Sequence, residues 1–429
     1  MTASVWLAII FAILVMMGIP ISISIGIAAI VAASIVNPSL LSMFPSMMYG
    51  SLDSFLLVAI PLFMLGGYIM EKGGTSQLIF DFAGSWMGWM RGGLGAVSVF
   101  ASMIFGGISG SSVADAAGLG PIQIGAMMRS GYPKDYSAAV AVAASTLAVV
   151  IPPSILMVIY AIIANQSVGA CLLAGLLPGI FIGMTMIGFN YFICRRRGWG
   201  KSFPMSWRNI LYQGKRSFWA VLTPCVLLGG LISGLFTPTE AAAISVLYVI
   251  IISLFVYKEL KPKQLFDMFL DVVRLGGPAV FIICTASIAA YILTVDKVPY
   301  TVAQTIIHYL KHPWLILLAI NIFLLIVGCF MDAVCSLIIL VPLLLPIIQS
   351  IGVSPVHFSV IMVANLAIGL ITPPVGVCLY VICGVAKISL EDLVRAAAPL
   401  LCSLIISLLI ITYWPPLSLF VPKLLGLMK

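Results

Sequence analysis

The chain has 429 residues, 62% of them hydrophobic and 8% charged, and its mean hydropathy is +1.22. Soluble domains carry about 25% charged residues, and one core cannot hide this much apolar surface, so a soluble enzyme or binding domain is excluded and lipid is the natural solvent. The net charge of +8 would suggest nucleic acid in a soluble protein; here it reads as the basic loops that orient a membrane protein.

A span needs ~20 mostly apolar residues, and the chain supplies about a dozen such stretches. The first begins at Ser4 with no basic segment before it and no small-residue cleavage site after it, so it is expected to be retained. Spans are expected near 4–19, 21–36 and 53–71, the first two being either two short helices or one long Pro-bent helix. Residues 76–91 carry Trp86 and Trp89 and read as an interfacial arm. The apolar region 93–130 is flanked by Arg91 and Arg129. If its flanks share one side of the bilayer, it enters and leaves on that side as a re-entrant hairpin. Spans near 136–163 and 168–194 complete the first half. Residues 195–216 carry seven Lys/Arg and no acid, a cytoplasmic linker by the positive-inside rule. The second half has spans near 217–235, 238–257, 276–294, 356–385 and 395–420, an arm at 260–274 and a partner hairpin at 313–350.

The halves repeat. At an offset of 221 residues Gly107 meets Gly328, Pro121 meets Pro342, Gly131 meets Gly352, Pro152-Pro153 meet Pro373-Pro374, and Pro178 meets Pro399. Upstream, Pro61 meets Pro278 and Pro20 meets Pro238 at offsets of 217 and 218. Chance gives one or two matches among 25 prolines, not an ordered series. Charge sets the hand. The link after the first hairpin holds Arg129 and Lys134, whereas its partner at 349–357 has no Lys or Arg; the link at 165–167 is uncharged, whereas its partner holds Lys387. The basic side swaps, so the repeat is inverted, with five crossings per half and both termini facing outward. The expected fold is an all-α polytopic membrane protein of two inverted repeats with two re-entrant hairpins.

The first hairpin turns through Gly106 to Gly118, with Ser109, Ser111, Ser112 and Asp115 among glycines and alanines. Irregular backbone at membrane depth is buried in protein or lines a cavity. Hydroxyls and freed carbonyls are hard ligands suited to Na⁺; the alternative is a tight small-residue contact with each Ser bonded to its own helix. The second tip, Gly328 to Ser336, has fewer hydroxyls, with Asp332 at the position of Ser111 and Ser336 at that of Asp115. A lone intramembrane acid is a functional candidate, and it can also cap a half-helix. Each Pro-Pro pair removes two donors and breaks its helix, leaving carbonyls for a cation, or for a neighbouring hydroxyl or water. Glu240 serves a subunit contact or simply lies at the interface. His308, His312 and His357 fall in links or arms and form no HExxH, and the nine Cys form no CxxC pair or His-Cys cluster, so no metal framework or disulfide set is indicated.

The run Phe105-Gly106-Gly107-Ile108-Ser109-Gly110-Ser111-Ser112-Val113-Ala114-Asp115-Ala116, then Gly131-Tyr132 and Ile151-Pro152-Pro153-Ser154, resembles the large membrane subunit of tripartite ATP-independent periplasmic (TRAP) transporters. So do Leu235-Phe236-Thr237-Pro238-Thr239-Glu240-Ala241-Ala242 and Ile371-Thr372-Pro373-Pro374-Val375-Gly376, and the resemblance covers nearly the whole chain. It implies a multi-pass protein of the bacterial inner membrane that imports an organic acid, such as a C4-dicarboxylate or sialic acid, on a Na⁺ gradient. The implied partners are a small four-helix membrane subunit, here expected as a separate polypeptide, and a periplasmic substrate-binding protein. The implied fold is of elevator type. Its scaffold would be 1–92 and 217–312, and its transport domain 93–194 and 313–429, with 195–216 as linker. One Na⁺ site would join Ser109, Ser111 and Ser112 to Ile151 and Pro152. A second would join Asp332 to Asn365, Thr372 and Pro373. Substrate would lie between the tips, near Asp115, Ser154, Ser336 and Gly376. The sequence has no GxxxxGK[ST] for nucleotide. The alternative is a stand-alone tricarboxylate or anion carrier of related architecture. An intramembrane aspartyl protease using Asp115 and Asp332 is disfavoured, since neither acid sits in Gly-x-Gly-Asp.

Overall fold

The computed structural model describes residues 2–90, 92–200, 206–233, 235–310 and 312–428, except the side chains at 275, 279, 303 and 306–308. Arg91, residues 201–205 of the linker and the side chain of His308 lie outside the described residues. Every regular element among the described residues is helical.

Helices α1 (Ala3–Met16) and α2 (Ile21–Val36) are separate and pack on each other. Gly18 at φ +78° makes the turn and Pro20 precedes the second helix. Only glycine takes that backbone region freely, which settles the question of one bent helix against two. Helices α3 (Phe44–Leu52) and α4 (Ala59–Lys72) follow, and α5 (Thr75–Met87) is two-faced as expected. Its Leu78, Ile79 and Ala83 are buried while Trp86 and nearby Trp89 are exposed.

The first hairpin is α6 (Gly93–Ser109), a turn at Gly110 (φ +61°), and a return leg divided into α7 (Ser112–Gly118) and α8 (Gly120–Arg129). Helix α9 (Lys134–Ser145) tightens into a 3₁₀ turn at Thr146–Val149, breaks at the prolines, and resumes as α10 (Ile155–Ile163). Helices α11 (Val168–Ala174) and α12 (Leu176–Arg197) end the first half.

The second half departs from expectation in five places. Helix α13 (Trp207–Ile232) begins within the supposed linker, ten residues before 217, because no proline lies there and Ser206 accepts from the Asn209 amide at 3.4 Å. After α14 (Pro238–Ile251), the expected arm 260–274 and span 276–294 form one helix, α15 (Pro262–Val295), that runs through Pro278. One interior proline forfeits one ladder bond, which neighbouring helices and side chains compensate in membrane helices. Helix α16 (Val298–Tyr309), which no apolar run announced, follows. The second hairpin is α17 (Pro313–Phe330) and α18 (Ala333–Ser350), and the second broken helix is α19 (Pro355–Gly369) and α20 (Val377–Ala386). The span expected over 395–420 ends early: α21 (Leu390–Tyr413) gives way at Pro415-Pro416 to a separate α22 (Pro416–Leu424). His357, expected in a link, sits in the first turn of α19 and is buried.

Among the described residues, eight helical segments are long and apolar enough to cross a membrane. The broken helices form the centre, buried from Tyr136 to Ser145 in α9 and from Val356 to Gly369 in α19. Alanine dominates α9, so neighbouring backbones approach closely. Each hairpin packs on the broken helix of its own half (α6 and α8 on α9, α17 and α18 on α19) and also crosswise, with α7 on α20 and α18 on α10. Each hairpin's return leg thus touches the broken helices of both halves.

Candidate functional site

The two tips, far apart in sequence, meet at one cavity of about 570 Å³. Ser109, Ser111 and Ser112 line it from the first tip, and Asp332 and Cys335 from the second. Val149 and Leu370, each just before a helix break, complete this side. The facing wall comes from α4 (Tyr68, Glu71) and α15 (Val272, Pro278, Ile282).

Glycines bring the backbones together. A Cβ on Gly106 would stand 2.6 Å from the Cα of Ala148, and one on Gly110 would stand 2.5 Å from the Pro153 carbonyl oxygen. A Cβ on Gly369 would stand 2.5 Å from the carbonyl carbon of Gly328. Each tip is also tied to its own break. The Ile155 amide donates to the Gly110 carbonyl at 3.5 Å, and the Val375 amide donates to the Cys329 carbonyl at 3.1 Å.

At the first tip Ser111 caps α7, accepting from the Ala114 amide at 3.4 Å. Ser109 and Ser112 are buried, and neither hydroxyl has a hydrogen-bond partner among the described residues. At the second tip Asp332 is exposed to the cavity and caps α18, its Oδ2 accepting from the Val334 amide at 2.9 Å. The buried hydroxyl of Ser336 has no partner among the described residues. A buried polar group without a partner costs about 1–3 kcal/mol, so these positions call for an explanation.

Both Pro-Pro peptide bonds are cis. Ile151, Pro152 and Pro153 are buried, whereas Pro373 and Pro374 are exposed. Some freed carbonyls find other donors: Ser154 donates to Val149, and the Cys378 amide donates to the Leu370 carbonyl at 3.1 Å. Thr372 donates to the Ile368 carbonyl at 2.7 Å, which also accepts from the Ile371 amide at 3.1 Å. At these carbonyls the neighbouring-hydroxyl or backbone solution applies.

Asn365 lies on α19, behind the second tip. Its Nδ2 donates to Asn321 Oδ1 at 2.7 Å and to the Ile361 carbonyl at 2.8 Å, and its own Oδ1 is buried without a partner among the described residues. Asn321 in turn donates to Thr412 Oγ1 at 3.0 Å. His357 bonds the Thr412 carbonyl through Nε2 at 3.2 Å and Ser418 through Nδ1 at 2.6 Å.

Of the residues expected around substrate, Asp115, Ser154, Ser336 and Gly376 are all buried and none is on the cavity wall. Asp115 faces the interior of its own hairpin, accepting from Ser102 Oγ at 2.8 Å. Gln123 Nε2 donates to Ser102 Oγ at 3.0 Å and to the Ser98 carbonyl at 3.1 Å. Sequence reasoning missed Tyr68, Glu71, Asn321 and Gln123. Glu71 ends an expected span and Asn321 sits mid-way along an apolar helix, so the rule for intramembrane polar residues could have marked both. Glu240 is accounted for locally: its Oε2 accepts from the Thr237 amide at 2.8 Å while Thr237 Oγ1 accepts from the Glu240 amide at 3.4 Å, a capping box at the start of α14.

Residues 8–417 match the family described as tripartite ATP-independent periplasmic transporter, DctM component. The chain is 37% identical to the C4-dicarboxylate TRAP transporter large permease protein DctM of Pseudomonas aeruginosa, over 94% of this chain and 95% of that one. It is 35% identical to the sialic acid TRAP transporter large permease protein SiaM of Vibrio cholerae, over 98% and 97%. It is also 37% identical to the isethionate TRAP transporter permease protein DctMQ of Oleidesulfovibrio alaskensis, where it spans 96% of its own length but 65% of the relative's. Among solved structures, the YdaH transporter of Alcanivorax borkumensis superposes with a TM-score of 0.64 at 16% identity, over 91% of this chain and 90% of that one. MtrF of Neisseria gonorrhoeae gives 0.59 at 14% identity, over 88% and 85%; at these identities the likeness is one of fold. The chain belongs to the DctM component family of tripartite ATP-independent periplasmic transporters, and is thus a multi-pass transporter of the inner membrane and not an enzyme.

Proposed function

We propose that this chain imports an organic acid on a Na⁺ gradient, receiving it from a periplasmic binding protein and working beside a small membrane subunit. The observation that carries the reading is the single cavity shared by two hairpin tips, with partnerless buried hydroxyls around it. The relatives whose names specify a cargo carry organic anions of different shapes. Ser109 and Ser112 at the first tip, with Asp332, Asn365 and Ser336 at the second, offer hard oxygens of the kind an alkali cation takes. Ser111, Ile151, Pro152, Thr372 and Pro373 complete the two proposed half-sites.

The cavity lies between 93–194 plus 313–429 on one side and α4 and α15 on the other. That placement supports the transport-and-scaffold division, with the two hairpins re-entrant from opposite faces and the inner body moving as an elevator. Crosswise packing of hairpins on broken helices gives the moving body one rigid core.

Reconstitution tests this. The chain with its small subunit in proteoliposomes should take up the organic acid only with an inward Na⁺ gradient and the binding protein present. Uptake by this chain alone would instead establish the stand-alone carrier, and uptake indifferent to Na⁺ would end the coupling proposal.

A further inference from the structure

The wall of the shared cavity carries two acids, Glu71 and Asp332, and no Lys, Arg or His among the described residues. Of the cations on α4 and α15, Arg274 pairs with Asp271 at 3.6 Å, Lys72 stands over the Tyr68 ring at 5.6 Å, and Lys263 is exposed. None of the three lines the cavity, so an anion there meets no cationic side chain on the described wall.

Hydrogen-bond donors are concentrated at one end. The first tip presents the hydroxyls of Ser109 and Ser112, buried and unpartnered. A hydroxyl can lend its lone pair to a cation and its hydrogen to a carboxylate at once. The second tip has no such vacancy for an anion, because the start of α18 is already capped by the Asp332 carboxylate. Most of the remaining wall is apolar, with Ile60 and Met64 of α4, Leu156 and Ile159 of α10 and Val272 and Ile282 of α15, and its polar exceptions are Tyr68, Glu71 and Asp332. A second carboxylate would lose water there and face two acids, and a polyol acid would find these few groups for its many hydroxyls.

We infer that the cargo of this cavity is an organic acid with one negative charge and an apolar body, its single carboxylate at the serine-rich tip. The inference rests on the proposed reading that the cavity holds an organic anion, and narrows it away from dicarboxylates and polyhydroxylated acids.

The test uses the chain with its small subunit in nanodiscs at saturating Na⁺, with thermal stabilisation titrated against 4-methyl-2-oxopentanoate, succinate and N-acetylneuraminate. The branched monoanion should stabilise at a concentration at least tenfold lower than either other acid. A tighter response to succinate or N-acetylneuraminate would overturn the inference while keeping the organic-anion reading; no response to any of the three would overturn both. As a second arm, Met64→Lys places a cation at the apolar end and should shift the preference toward succinate by tenfold or more. An unchanged preference in a variant of wild-type melting temperature would count against the apolar end being where the body of the cargo lies.

Discussion

Asn365 Nδ2 donates to Asn321 Oδ1 across 2.7 Å, joining a proposed ion-site residue to the middle of the second hairpin's first leg. The direction of this bond is set two residues away. Thr412 gives its hydroxyl hydrogen to the Leu408 carbonyl at 2.8 Å, so its oxygen can only accept from Asn321. Asn321 must then turn its nitrogen to Thr412 and its oxygen to Asn365. Asn365 has spent both amide hydrogens, which leaves Oδ1 as a buried acceptor with no donor.

Thr412→Val removes the acceptor that orients this chain, and Thr412→Ser keeps it. We predict that Thr412→Val raises the Na⁺ concentration for half-maximal thermal stabilisation by about 3–10-fold, the worth of one hydrogen bond, and that Thr412→Ser restores it. Asn365→Ala is the control. If it leaves the Na⁺ response intact, the ion site is misplaced; if only Thr412→Val does, the orienting role fails.

Ser109 and Ser112 give a prediction whose sign separates a ligand from a packing residue. Neither hydroxyl makes a hydrogen bond among the described residues, so Ser→Ala at either removes none of these. Stability without Na⁺ should stay within about 0.5 kcal/mol or rise slightly. The Na⁺-induced increase in melting temperature should shrink in both. Loss of stability with an unchanged Na⁺ response would show the hydroxyls to be structural.

The close backbone approaches predict steric cost. A Cβ on Gly106 or Gly369 meets backbone atoms at 2.6 and 2.5 Å, which cannot move like a flexible side chain. Gly106→Ala and Gly369→Ala should each destabilise by about 1–3 kcal/mol, typical of overpacking. Gly229→Ala, with nothing within 4 Å of the new atom, should be harmless. Melting curves of the three variants in one detergent decide it.

The capping box at α14 predicts a graded series at Glu240. Glu240→Gln keeps an acceptor for the Thr237 amide and should stay close to wild type. Thr237→Ala removes the cap and should cost about 1 kcal/mol. Equal, large losses of transport in Glu240→Gln at unchanged stability would point to a role beyond the cap.

Much of this molecule was legible in local chemistry. Composition required lipid, and the offset of the Pro-Pro pairs located two helix breaks that the structure reproduces at 150–154 and 370–376. The glycine-rich and acid-bearing tips were found the same way, because turns and breaks depend on backbone freedom and missing donors at single positions. Helix continuity was less legible. The boundary expected between the arm 260–274 and the span 276–294 is absent, and α15 runs on through Pro278, since packing against neighbours outweighs one lost ladder bond.

What only tertiary structure decided is which way polar side chains face and whom they meet. Asp115 is a tip acid by sequence, yet it turns into its own hairpin toward Ser102. Asn365 owes its orientation to Asn321 and Thr412 on two other helices. Glu71 enters the story only because α4 closes the cavity opposite the tips. Periodicity and breakers act over one or two turns of chain, so the sequence determined by itself that the helices break and where. The partners of a buried hydroxyl or amide come from segments tens to hundreds of residues away, and only the packed fold brings them within hydrogen-bond reach.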